Sequence, residues 1–309
     1  MTLAQGSAPP AVTVQTVLYR HSLAEVRRWV LGVANSVRVE RAHGLIGPVS
    51  LRIGDSSPDP TLTAVQVEQM SEEFGPWGVV DVAYEHFGAN LGSAGGHNRL
   101  FEADGAPYFL ILNPDAMASP FLLGELLAAA EDATVGIAEA RQLPLEHPKE
   151  YDLQTGDTSW ASGAGCLVRS EVFAQVGGYD AESFFLYCDD VDLSWRVRLA
   201  GFRVVLQPTA RIFHDKRLNL DAVVETGEVE LYYSAEAALM LAWKYSRLDL
   251  VDEWLEHFLT SPIPLWVDAA HAFAKRRSDG ALPAPIDPEG RVAQFFGMHF
   301  ARHRYLFSD

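Results

Sequence analysis

The chain has 309 residues, 48% hydrophobic and 21% charged, which is long and apolar enough to bury a core and excludes intrinsic disorder. Lys and Arg total 24 against 41 Asp and Glu, and a net charge of −17 with no segregated basic stripe argues against a nucleic-acid partner. Only Cys166 and Cys188 are present, so the thiols read as reduced and any metal chemistry must rest on carboxylates and imidazole. Residues 1–10 lack the basic start and apolar centre of a signal peptide, and no stretch is long enough to span a bilayer, so the chain reads as cytoplasmic.

Residues 12–18 are short and β-branched, and Ser22 and Glu25 follow with the spacing of a capping box, so a strand leads into a helix. Residues 49–53 alternate with period two and stop at a turn cluster beginning Gly54-Asp55. A third strand is expected at 79–82, and a fourth, almost wholly apolar, at 108–112. A helix is expected beyond Pro120, and the polar stretch 141–157 reads as a mobile loop. A strand at 164–168, a helix from Asp189 to Ala200 stopped by Gly201, and a strand at 202–206 complete this part. Past residue 219 the pattern is helical, with a Pro- and Gly-rich break at 278–290. The expected organisation is a flexible tail at 1–10, a catalytic domain at 11–218 and a helical region at 219–309.

Strands alternating with helices imply a mainly parallel sheet of α/β class, in which ligands gather at the carboxyl ends of the strands. That rule points to Tyr19, Asp55, residues 90–98 and the Asn113-Pro114-Asp115 turn. The richest segment is 184–196, where an aromatic and apolar run leads into Asp189, Asp190 and Asp192. Acids at a helix start are explained by capping and by the helix dipole. The apolar run before them would also desolvate at least one, raising its proton affinity toward that of a general base. Asp55 alone reads as an Asx turn, His214 alone as a core histidine, and the glycines of 92–96 as a tight turn or as an anion-binding helix start.

Taken together in order, these segments resemble glycosyltransferase family 2, the inverting nucleotide-sugar transferases of GT-A fold, above all its rhamnosyltransferase-like and galactofuranosyltransferase-like branches. The resemblance runs from about Val12 to His214 and is carried by Asp55-Ser56-Ser57, residues 90–98, residues 112–116, Ser162-Gly163-Ala164, residues 176–180, residues 185–196 and His214. It implies a GT-A fold with a C-terminal helical extension, and Asp190 as catalytic base with Asp189 beside it, suited to acceptor hydroxyls. It implies that Asp55 recognises a pyrimidine base, and that Tyr19, Asn90, Gly92, Gly96, Asn98 and Asn113 help bind the donor. Trp160 would line the acceptor cleft, and Asp115 and His214 would hold Mn2+ or Mg2+ against the donor diphosphate.

The implied partners are a nucleotide-diphosphate sugar donor, of dTDP-rhamnose-like or UDP-sugar type, and a glycan or lipid-linked glycan acceptor. A homo-oligomer and a peripheral place at the inner face of the membrane stay open. Two departures stand out: Arg20 where many relatives have Asn, and Asn113 in place of the first Asp of the common metal motif. The second, by removing a carboxylate, favours the alternative of a catalytically inactive nucleotide-sugar-binding module. A Rossmann-type methyltransferase fits less well, because its glycine loop would come too late in the chain.

Overall fold

A computed structural model of the chain describes residues 8–102, 105–214 and 227–304. Among the described residues eight strands form one sheet: β1 (Val12–Leu18), β2 (Val49–Asp55), β3 (Val79–His86), β4 (Tyr108–Leu112), β5 (Ala116–Ala118), β6 (Val135–Leu143), β7 (Gly165–Arg169) and β8 (Arg203–His214). Their order across the sheet is β3-β2-β1-β4-β7-β6-β8-β5. The nine α-helices of the described residues are α1 (Leu23–Ala42), α2 (Ala64–Phe74), α3 (Gly92–Glu102), α4 (Leu122–Ala129), α5 (Ser170–Gln175), α6 (Asp189–Leu199), α7 (Glu228–Lys244), α8 (Leu248–Leu259) and α9 (Pro264–Ser278).

The α/β class is as expected, but the sheet is more mixed than the strand-helix alternation suggested. β1, β2, β3 and β4 pair parallel, as do β6 and β8, whereas β7 runs antiparallel to both β4 and β6, and β5 antiparallel to β8. Because β7 reverses direction between β4 and β6, both of its parallel neighbours still end at one edge. The carboxyl ends of β1, β2, β4, β6 and β8 therefore line up with the amino end of β7, and residues distant in sequence meet along that edge.

Strand β4 shows how the layers form. Leu110 and Leu112 point into the core under α1, α2 and α4, while Phe109 and Ile111 point into a second core with Ala94 of α3, Phe173 of α5 and Leu193 of α6. A strand buried on both faces needs this uninterrupted apolar run. A third cluster lies on the far side of α6, where Val191 and Trp195 pack with Leu239 and Tyr245 near α7, Trp254 and Phe258 of α8, and Phe273 of α9. The boundary expected at 218–219 lies outside the described residues; the helices beyond it share this cluster with α6. Among the described residues no helix is long and apolar enough to cross a membrane.

Locally, the capping box forms as expected: the Glu25 amide donates to the Ser22 hydroxyl (3.3 Å) and the Ser22 amide to the Glu25 carboxylate (2.7 Å). Gly201 closes α6 at φ +92°. Residues 141–157, expected to be a mobile loop, instead begin as the end of β6 and continue as a segment pinned by the C-terminal residues. The Glu150 amide donates to the Arg302 carbonyl (2.8 Å) and the Arg304 amide to the Pro148 carbonyl (2.6 Å).

Candidate active site

The turn after β4 places Asp115 opposite the last residue of β8, because Ala116 pairs with His214 in the β5–β8 ladder. Asp115 Oδ1 lies 3.3 Å from His214 Nε2. On the other side of the ring, Nδ1 lies 2.9 Å from Oε1 of Gln142, a buried residue near the end of β6. That amide oxygen only accepts, so Nδ1 carries the proton and Nε2 presents a lone pair toward the carboxylate. Two acceptors facing each other are favourable only with a proton or a cation between them. Burial pushes the Asp115 carboxyl up, but a positive charge on the His214 side outweighs it and holds the group below its ordinary value, so the carboxylate is the form that such a charge selects. The pair therefore fits a divalent cation, with Gln142 fixing the tautomer as outer partners of metal-binding histidines do. Among the described residues no group of three or more His, Cys, Asp or Glu side chains forms a complete metal cage, so further oxygen ligands would have to come from a bound molecule.

Asp190 sits in the first turn of α6 with its carboxylate turned to the same edge. Oδ2 accepts from the Gly163 amide (3.0 Å) and Oδ1 from its neighbour Val191 (2.8 Å). Burial raises its proton affinity, and these amides together with Lys149 oppose the rise. Asp189, buried beside it, is pushed up to about 7 by burial first and by the charge of Asp190 second, with Ser93 of α3 opposing. Two adjacent carboxyl groups thus prefer one proton between them, the arrangement that suits a base and a neutral hydrogen-bond donor. Asp192, the third acid of the run, plays a different part. It is fully buried and takes Arg196 Nε (2.8 Å) and Lys244 Nζ (2.7 Å), tying α6 to α7.

Several residues expected to touch the donor are engaged in holding the fold. Asp55 is 0% exposed and accepts from the Ser57 amide (2.9 Å), the Thr61 amide (2.8 Å) and the Tyr84 hydroxyl (2.6 Å), so its carboxylate shapes the 56–61 loop. The start of α3 is likewise no open anion site. The Leu91 amide goes to the Ser56 hydroxyl, Gly92 to the Asn90 side chain, and Ser93 to the Phe185 carbonyl. Gly92, at φ +68°, lies so close to Phe185 that a Cβ would fall 2.2 Å from its carbonyl oxygen, and a Cβ on Gly96 would strike Val17 at 2.7 Å. Asn98 clamps the 176–180 turn, giving to the Tyr179 carbonyl and accepting from its amide, both at 2.8 Å.

Trp160, expected to line the acceptor cleft, is only 8% exposed and covers the Lys149 ammonium, 3.9 Å from the centroid of its ring. Tyr19 and Asn113 do stay open: Tyr19 is 44% exposed at the end of β1, and the Asn113 side-chain amide makes no hydrogen bond among the described residues. Beyond the Asp115–His214 pair lies a cavity of about 350 Å³, mostly apolar, between Trp29, Met117, Leu143 and Phe213 with Arg28 at its rim. Sequence reasoning missed Gln142 and Lys149 and took Ser93 only as part of residues 90–98. Gln142 and Lys149 stand in no recognisable motif, and only the tertiary register brings them to the site.

No protein-family profile matches the chain. Two curated rhamnosyltransferases match locally: N-acetylglucosaminyl-diphospho-decaprenol L-rhamnosyltransferase of Mycobacterium tuberculosis, 39% identical over 83 residues covering 27% of this chain and 24% of that protein, and rhamnosyltransferase WbbL of Escherichia coli, 37% identical over 67 residues covering 22% and 25%. The matched part thus spans about a quarter of the length of these relatives. Solved structures resemble nearly the whole chain at low identity. The mannosyltransferase PcManGT of Pyrobaculum calidifontis, in complex with GDP-Man and Mn2+, superposes with a TM-score of 0.58 at 17% identity over 89% of this chain and 77% of that one. GalNAc-T7 with UDP, GalNAc and Mn2+ gives 0.58 at 13% identity over 89% and 55%. The fold is thus that of the GT-A glycosyltransferases, and over about a quarter of its length the chain is similar to rhamnosyltransferases.

Proposed function

We propose that the protein is an inverting glycosyltransferase that moves a sugar from a nucleotide-diphosphate donor to an acceptor hydroxyl, with Asp190 as base. The observation that carries this reading is the convergence at one sheet edge of a half-buried, amide-held carboxylate and the Asp115–His214 pair. Asp190 takes the acceptor proton as the hydroxyl oxygen attacks the anomeric carbon from the face opposite the diphosphate, and one displacement inverts that centre. The Gly163 and Val191 amides keep the carboxylate aimed while it is ionised. Asp189, whose proton affinity burial and the charge of Asp190 raise, can donate to an acceptor oxygen in its protonated form. Mn2+ or Mg2+ held by Asp115 and His214 would supply positive charge to the departing diphosphate.

The rhamnosyltransferase relatives favour a dTDP-rhamnose-like donor over other pyrimidine nucleotide sugars such as UDP-sugars, and the name of the mycobacterial one favours a lipid-linked glycan acceptor. Tyr19 and Asn113 stay in place as donor contacts. Asp55, Asn90, Gly92, Gly96 and Asn98 contribute by building the walls of the cleft.

The test is a panel of nucleotide sugars assayed for hydrolysis and for transfer, with Mn2+ and with chelator. Metal-dependent turnover of a pyrimidine nucleotide sugar is expected, with dTDP-L-rhamnose foremost. Metal-dependent nucleotide binding with no turnover of any donor would instead support the inactive binding module that Asn113 favours.

A further inference from the structure

Three strands end in an apolar row that faces solvent. In the β5–β8 ladder Met117 stands opposite Phe213, and in the β6–β8 ladder Phe213 stands opposite Leu143. Phe213 is 51% and Met117 43% exposed, and Leu143 is half-buried, whereas the alternate residues Ala116, Ala118 and Ile212 belong to the core. Such alternation ordinarily puts polar side chains on the wet face; here that face carries large apolar ones. A Cβ on Gly32 would lie 3.2 Å from Met117 Cγ, so α1 runs beside the row and adds Leu31, 46% exposed. Met117, Leu143 and Phe213 also wall the apolar cavity next to Asp115 and His214.

The charge around this row is opposite in sign to that of the chain, whose net charge is −17. Arg28 stands at the cavity rim, and Arg211 lies two residues before Phe213 on the same face of β8. Both are exposed, and neither guanidinium makes a hydrogen bond or an ion pair among the described residues. Asp115, the acid that lines the same cavity, is turned to His214 (3.3 Å). Glu25, one turn before Arg28, is taken up by Ser22 (2.7 Å), and Glu125 of α4 by Thr209 of β8 (2.6 Å). Charges elsewhere on the surface are screened beyond about 8 Å at physiological ionic strength, so the local pattern governs a close contact. Exposed apolar side chains flanked by unpaired arginines suit the boundary between lipid headgroups and acyl chains.

We infer that the face made by Leu31, Met117, Leu143 and Phe213, with Arg28 and Arg211, docks on an anionic bilayer surface. The apolar side chains enter the headgroup layer, and the guanidinium groups pair with lipid phosphates. The inference deepens the transferase reading and rests on its lipid-linked acceptor: among the described residues no helix can cross a membrane, and docking brings the Asp115–His214 edge of the sheet to the bilayer instead.

The experiment is co-sedimentation of the full chain with vesicles of phosphatidylcholine and phosphatidylglycerol in equal parts, and of phosphatidylcholine alone. The parent protein is expected to bind the mixed vesicles, and less so as salt rises. Met117→Ser/Phe213→Ser should lower partition about tenfold on both kinds of vesicle, and Arg28→Ala/Arg211→Ala about tenfold on the mixed ones only. Absence of parent binding, or equal partition of the parent and both variants, overturns the inference. Met117→Gln/Phe213→Gln, which keeps longer side chains on the ladder, is the second apolar variant should the serines disturb folding, and it is held to the same outcome. Light scattering without lipid should show a monomer; a dimer that the Met117 and Phe213 substitutions dissociate would give the face to a second copy and overturn the bilayer as its partner. Vesicle binding through these residues with no turnover of any nucleotide sugar keeps the docking face and fails the transferase reading, whereas turnover without vesicle binding fails the docking face alone.

Discussion

Asp190 draws both of its hydrogen bonds from backbone amides, so changing its chemistry need not disturb its place. Asp190→Asn keeps an acceptor for one amide and loses the basic oxygen. Turnover is expected to fall about 10³-fold, with nucleotide affinity by calorimetry within about threefold of the parent; transfer near the parent rate would remove Asp190 from the base role. Gln142→Leu takes away the oxygen that fixes the His214 tautomer. Nucleotide diphosphate binding should weaken about tenfold in Mn2+ and stay unchanged in chelator, whereas equal losses in both would show a packing role. Asp55→Ala separates two accounts of one residue. As a loop builder with three internal donors, Asp55 should cost about 2–4 kcal/mol of stability when removed, read by urea denaturation. Loss of dTDP and UDP affinity at full stability would restore the direct base contact. Burial pushes this carboxyl up, but the bonds from Ser57, Tyr84 and Thr61 prevail and hold it below its ordinary value. Its contribution is accordingly present above the ordinary carboxylate range and lost as pH falls through the lowered value.

The contact between α1 and α4 depends on one buried acid. Glu40 of α1 accepts from the Gly124 amide in the first turn of α4 (2.5 Å) and from the Ser36 hydroxyl (3.0 Å), and burial pushes it up from 4.5 to about 7. The folded state therefore binds a proton more tightly than the unfolded chain, so this stabilisation is complete below pH 4.5 and is lost as pH rises to about 7. The loss is of order 3 kcal/mol. Glu40→Gln, which imitates the protonated form, should flatten the fall in denaturation midpoint across that window; an unchanged slope would place the titration elsewhere. Element by element, β1, β2 and β4 are readable from their patterns, whereas β6 is not. Its run Val135-Gly136-Ile137-Ala138-Glu139-Ala140 is buried on both faces, so it lacks period two, and Glu139 looks like a surface charge until its pairing with Lys149 is seen.

Across the molecule, α6 belongs to two cores at once. Leu193 and Val197 pack toward the sheet, and Val191 and Trp195 toward α7, α8 and α9. Lys244 of α7 adds ion pairs to Asp180 and Asp192. With one helix shared, thermal unfolding should be a single transition, coincident by far-ultraviolet circular dichroism and by tryptophan fluorescence. Two separated transitions would show that residues 228–278 fold by themselves.

Periodicity and turn chemistry in the sequence alone determined the α/β class, the capped start of α1, the left-handed stop after α6, the strand ends where Tyr19 and Asp115 would be found and the helix start that carries Asp190. These depend on near neighbours in the chain, so a local pattern suffices to read them. The tertiary structure alone decided which of those residues still have free atoms. Asp55 and Asn98 spend their polar groups on partners 2 to 81 positions away, and His214 gains Gln142 from 72 positions away. A polar side chain is available to a ligand only if the fold has left it unpaired, and hydrogen bonds across that many residues are set by strand register, which no local pattern contains.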